Sequence, residues 1–148
     1  MVLSAKDSFD LARFISAQDA VYDRVIAELQ RGRKTGHWMW FIFPQIEGLG
    51  SSAISRQYAI SGWEEAKAYL QHPVLGPRLR ECTQLALAIE GSPIEEIFDY
   101  PDDLKFRSSM TLFARVADEN EIFVAALEKY FDGEQDRLTL LWLGQAAS

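Results

Sequence analysis

Residues 102–133, DDLKFRSSMTLFARVADENEIFVAALEKYFDG, decide the fold class. After Asp102 and Asp103, either of which suits a helix cap, Phe106, Met110, Phe113 and Ala117 recur at steps of three and four, with Ser109 beside the stripe. Such steps put side chains on one face of an α-helix. Asn120 then stands where an N-cap belongs. Phe123, Ala126, Leu127, Tyr130 and Phe131 follow at helical spacing, and Gly133 comes where a helix stops.

Outward from this pair the pattern repeats. Asp136 is placed to cap a last helix through Leu140 and Leu143. Upstream, Asp10 is placed to cap a short helix carrying Leu11, Phe14 and Ile15. Residues 19–31 carry Tyr22, Val25, Ile26 and Leu29 at i, i+3, i+4, i+7, with Gly32 just after. Ser61-Gly62-Trp63-Glu64 has the capping-box form, and Ala66, Tyr69 and Leu70 follow it. His72-Pro73 ends that helix, because the residue before proline avoids the α region. Pro77 fits the first turn of the next helix, whose inward positions are Leu79, Cys82, Leu85, Ala86 and Ile89, up to Gly91. Ser92-Pro93-Ile94-Glu95 reads as a second capping box, opening a short helix that ends near Phe98. Nothing alternates with turn signals at hairpin spacing. Phe41-Ile42-Phe43 alone reads equally as buried strand or buried helix. The expectation is an all-α fold, a single compact domain over residues 1–148 with seven or more short helices.

Composition agrees. A chain of 148 residues that is 48% hydrophobic has the means to build a core of its own. The lone Cys82 cannot form an internal disulfide and excludes a multi-cysteine zinc site. The most apolar run, Trp38 to Phe43, falls far short of the roughly 20 residues that span a bilayer. No signal peptide is recognisable, so a cytoplasmic, soluble protein is expected, without membrane contact. The formal net charge of −7 argues against general nucleic-acid binding, which depends on cations meeting phosphates.

Two segments carry candidate chemistry. The first is residues 31–45, RGRKTGHWMWFIFPQ. Arg31, Arg33 and Lys34 cluster within four positions, with Gly32 and Gly36 among and after them, and His37, Trp38, Trp40 and Gln45 follow. A basic, glycine-containing loop leading into a helix offers N–H groups and charge to an anion, and indoles offer a stacking surface. The bland alternative is a solvated helix C-terminus followed by core aromatics. The spacing is neither G-x-x-x-x-G-K-S/T nor G-x-G-x-x-G. The second segment is residues 102–111, where Lys105, Ser108, Ser109 and Thr111 share two turns of one helix. Lys105 and Ser109 are four apart and share a face, as a nucleophile and its base would, or as an anion clamp would. The bland alternative is small hydroxyls that allow close packing. Metal chemistry is not expected: His37 and His72 form no H-x-x-x-H or H-E-x-x-H, and no EF-hand spacing is present. No cofactor motif is present either.

The blocks GHWMWFIFPQIEGLGSS, RQYAISGWEEAKAYLQHPVLGPRL, DDLKFRSSMTLFARV and KYFDGEQDRLTL, in this order, resemble the family called domain of unknown function 1810, from Arg13 to about Leu140. The resemblance implies a predominantly α-helical fold; the family has no established activity, so it points to no function. Relatives typically carry glycine after the Ile-Phe pair where this chain has Asp99, so the turn after Ile97-Phe98 is expected to differ. Some relatives bear the label calpastatin, an extended, disordered inhibitor; this chain's apolar content and helical periodicity contradict it.

Two functions follow as expectations. One is a pocket for an anionic, planar, nucleotide-like small molecule, with Arg33, Lys34, Trp38, Trp40 and Gln45 facing Ser109 and Thr111. His37 and Lys105 are its candidates for proton transfer if hydrolysis or group transfer occurs there. The other is a non-enzymatic adaptor that binds a partner through exposed aromatics.

Overall fold

Ten helices succeed one another in the computed structural model, which describes residues 7–144. They are α1 (Ala12–Asp19), α2 (Tyr22–Arg31), α3 (Met39–Ile42), α4 (Ala53–Gln57), α5 (Trp63–Gln71), α6 (Leu75–Leu87), α7 (Ile94–Ile97), α8 (Asp102–Val116), α9 (Glu121–Phe131) and α10 (Arg137–Leu143). Among the described residues there is no strand, only an isolated parallel bridge between Ile46 and Ile60. The fold is all-α. No described helix is long and apolar enough to cross a membrane.

α8 is the central element. Every side chain from Ser108 to Ala114 is buried, so these two turns have no solvent side. α9, α5 and α10 pack on it, and α6 packs on α5, α9 and α2. The Phe41-Ile42-Phe43 ambiguity resolves as one turn of helix, α3, followed by a buried Phe43.

The helix ends differ in detail from the sequence expectation. Asp10 is not the first cap: it sits at φ 54, and Asp7 Oδ1 accepts from Leu11 N at 2.5 Å instead. α1 runs through Asp19, so α2 opens only at Tyr22. Neither capping box forms. Ser61 lies before α5, and buried Glu65, not Glu64, accepts from its N–H at 2.8 Å. Pro93 rather than Ser92 is the N-cap of α7. Pro101 is the N-cap of α8, which leaves Asp102 and Asp103 in the first turn. Asn120 is the N-cap of α9 by position, but its amide donates to Ala114 O. Asp136 caps α10 as expected, accepting from Thr139 N at 2.9 Å and from its hydroxyl at 2.7 Å. The helix α4 had no apolar face to betray it; Ser52 caps it through Ser55 N.

An aromatic cluster places the functional region. Phe43 and Phe98 each lie 5.0 Å from Phe106, ring centre to ring centre, and Trp38 is 6.3 Å from both Phe43 and Phe98. It clamps the α2–α3 loop to α7 and α8, so that loop's other side chains face outward over the start of α8.

Candidate functional site

Gly32, at φ 85, ends α2 in the left-handed conformation that glycine adopts without a Cβ clash. The chain then turns back, and three contacts to one carboxylate fix its path. Glu28 Oε1 accepts from Thr35 N at 2.8 Å, Gly36 N at 2.9 Å and Trp38 Nε1 at 2.9 Å. Burial alone would raise the Glu28 pKa. The hydrogen bonds from Gly36, Thr35 and Trp38 outweigh it and hold the group at about 2, below the usual 4.5. On the far side, Lys34 N donates to Ile97 O at 2.9 Å.

This frame makes one wall of a concavity of about 580 Å³, and the turn from Asp99 into α8 makes the other. Arg33, Lys34, His37, Trp40 and Lys105, all expected from the sequence, line it together. Asp102 ties the walls: Lys34 Nζ is 2.8 Å from its Oδ2, and Lys105 Nζ is 3.6 Å from its Oδ1. Lys105 also lies 5.0 Å from the centre of the Trp40 ring. At the rim, Arg33 donates to Glu96 O and forks onto both oxygens of Asp99 at 3.0–3.1 Å. Asp99 therefore meets the loop at the exposed rim. His37 is exposed beside them.

The other expected residues lie elsewhere. Trp38 is 1% exposed and spends its N–H on Glu28, leaving no surface for a ligand. Ser109 is fully buried, and its hydroxyl has no hydrogen-bond partner among the described residues. Thr111 is buried too, donating to Arg107 O and accepting from Asp136 N. Neither lines the concavity, so no Lys105–Ser109 pair faces it. Gln45 lines a separate groove beyond Trp40. Asp99, Tyr100 and Asp102 are lining residues that the sequence reading missed; the one signal available was the i, i+3 spacing of Asp102 and Lys105.

The arrangement can bind an anion. Three cations, Arg33, Lys34 and Lys105, meet two carboxylates, Asp99 and Asp102, which leaves a local excess of positive charge in a protein of net charge −7. Lys105 is the cation least committed to its partner. His37 supplies the residue type that most often carries proton transfer. Among the described residues no three His, Cys, Asp or Glu side chains are gathered as metal ligands would be. The Cys82 thiol is buried away from the cavity on α6, and that burial pushes its pKa up to about 12.

Fold and cavity together define an all-α protein with a cation-rich hollow where a loop meets the start of a central helix. The chain belongs to the family described as Protein of unknown function (DUF1810), which matches residues 8–143. It is similar to the crystal structure of the conserved hypothetical protein Rv1873 from Mycobacterium tuberculosis, with a TM-score of 0.92 and 59% identity, covering 93% of this chain and 99% of that one. No curated protein matches the chain.

Proposed function

We propose that the hollow between the α2–α3 loop and the start of α8 binds a small anionic ligand bearing a phosphate or carboxylate group. The observation that carries this is the convergence of Lys34 and Lys105, from distant parts of the chain, on Asp102 beside the half-buried Trp40. A volume of about 580 Å³ is within the range of small-molecule sites. An incoming anion would draw Lys105 from its 3.6 Å contact more readily than Lys34 from its 2.8 Å one, because the longer ion pair is the weaker of the two. If the ligand reacts there, the chemistry is hydrolysis or group transfer, with His37 or Lys105 moving the proton. The lone, buried thiol of Cys82 suits a cytoplasmic setting.

The test is a thermal-shift screen with inorganic phosphate, pyrophosphate, sugar phosphates and dicarboxylates. A ligand at about 100 times its Kd adds roughly 2.7 kcal/mol of stability. Lys105→Ala and His37→Ala, both folded, are expected to lose the shift. A shift that survives Lys105→Ala places the anion elsewhere. The adaptor reading rests on α10, where Leu138, Leu141 and Trp142 are each more than half exposed. It gains if no anion shifts a folded protein while a partner binds and Leu141→Lys abolishes that binding.

A further inference from the structure

Beyond Trp40 lies a second hollow, a groove of about 310 Å³ that takes in Gln45 as well. Trp40 lines both hollows, and Trp142 of α10 lines the far wall of this one. Both indoles line the groove, Trp40 half-buried and Trp142 exposed. Trp142 is half exposed yet held in place, because it lies against the backbone of Gly48, where an added Cβ would come within 2.6 Å of the ring. At φ 97, Gly48 also has a backbone that side-chain-bearing residues rarely adopt.

The polar groups here are unspent. Gln45 uses its backbone carbonyl for Ile60 N, but its side-chain amide has no hydrogen-bond partner among the described residues, and neither has the Tyr58 hydroxyl. An amide that both donates and accepts, beside a hydroxyl that does the same, matches the edge of a ring bearing both kinds of group. The charged side chains in the groove, Glu47 and Arg56, balance, unlike those of the neighbouring hollow. Its volume suits one ring system rather than an extended molecule.

We infer that this groove binds a neutral, planar nitrogen heterocycle by contact with Trp40 and Trp142 and through the free Gln45 amide and Tyr58 hydroxyl. With the anion hollow on the other side of Trp40, it forms a two-part site for a nucleotide-class ligand. The groove stands on its own observations; the pairing rests on the anion reading above.

Tryptophan fluorescence titrations of the full chain with adenosine, guanosine, uridine, the matching 5′-monophosphates and pyrophosphate separate the parts. At least one nucleoside is expected to bind and quench the wild type. Trp142→Ala is expected to weaken that binding about tenfold or more, the loss of one stacking surface, and Trp142→Phe to restore much of it. Circular dichroism checks that both variants are folded. Lys105→Ala is expected to weaken the monophosphate about tenfold more than it weakens the nucleoside, because Lys105 lines the anion hollow and not the groove. Nucleoside binding without pyrophosphate binding keeps the groove and overturns the anion reading. Pyrophosphate binding with no nucleoside binding, and monophosphates no tighter than pyrophosphate, overturns the groove. A dimer that Trp142→Ala dissolves, without nucleoside binding, also overturns it, because a second copy then fills the groove.

Discussion

Glu28 and Trp38 face each other in the core, the carboxylate 2.9 Å from the indole N–H, and the basic loop hangs from that contact. A carboxylate only 2% exposed is costly unless fully paired, and Glu28 is paired with donors alone, none of them a cation. The loop therefore needs the charge, and the charge needs the loop.

Because the folded pKa of Glu28 lies below the usual value, its ionised form stabilises the native state at pH above about 4.5. That contribution is lost as pH falls toward about 2. It amounts to about 3 kcal/mol when fully present. Urea unfolding at a series of acid pH values should show the decline. Glu28→Gln should be less stable at pH 7 and should have a flatter acid limb. An acid limb as steep as that of the wild type would mean that other carboxylates carry it.

Arg13 should be the most sensitive exposed-to-buried link. Its guanidinium donates to the carbonyls of Phe9, Asp10, Gln57 and Ala59 and lies 2.8 Å from Glu65 Oε2, whose side chain is 3% exposed. Arg13→Ala strands a buried charge, and the expected loss is about 3–5 kcal/mol. Arg13→Lys should recover little, since one ammonium cannot reproduce the fork. Adding Glu65→Gln to Arg13→Ala should return part of the stability, read as a coupling energy in chemical denaturation.

At Gly76 the sign of an ordinary helix rule should reverse. Alanine in a helix is normally better than glycine by about 1 kcal/mol. Here an added Cβ would stand 2.2 Å from Leu70 O, so α5 and α6 would have to separate. Gly76→Ala is expected to cost about 1–3 kcal/mol in melting experiments.

The helices were legible because their apolar stripes recur at 3.6 residues and their ends carry Gly32, Pro77 and Asp136. Cap chemistry was less so: the role expected of Asp10 fell to Asp7, and the one expected of Glu64 fell to Glu65. Acceptors one turn or one residue away compete for the same N–H groups, and packing decides between them. Half of the site was legible for a similar reason. Arg33, Lys34, His37 and Lys105 are polar residues on segments whose apolar neighbours had to be inside. Ser109 shares a helix face with Lys105, but four residues carry the chain about 6 Å along the axis. On α8 that step leads from the rim into the core. Trp142 and Gly48 meet only through the tertiary fold, so no local pattern announced their groove.

Ser109→Ala separates a packing role from a chemical one. The hydroxyl is buried without a partner, so removing it should leave stability unchanged or raise it by about 1 kcal/mol. Anion binding should be untouched. A fall in affinity would put Ser109 in reach of the ligand, against its position in the core.

Lys34 and Lys105 should respond differently although both reach Asp102. The Lys34 side chain is 10% exposed and makes the 2.8 Å contact that joins the loop to α8. The Lys105 side chain is 23% exposed, sits on the same helix as Asp102, and makes only a 3.6 Å contact. Lys34→Ala therefore removes a tertiary link and leaves Asp102 with its weaker partner. It is expected to lower the melting temperature by several degrees, for a loss of about 1–3 kcal/mol. Lys105→Ala should cost less stability than Lys34→Ala, about 1 kcal/mol or less, because it breaks only a longer i, i+3 contact within one helix. Its effect should appear instead as weaker pyrophosphate binding by titration calorimetry, steeper at low salt, where the charge is least screened. Equal stability losses in the two variants would mean that Lys105 is a strut like Lys34, and the hollow would then have no cation free to meet a ligand.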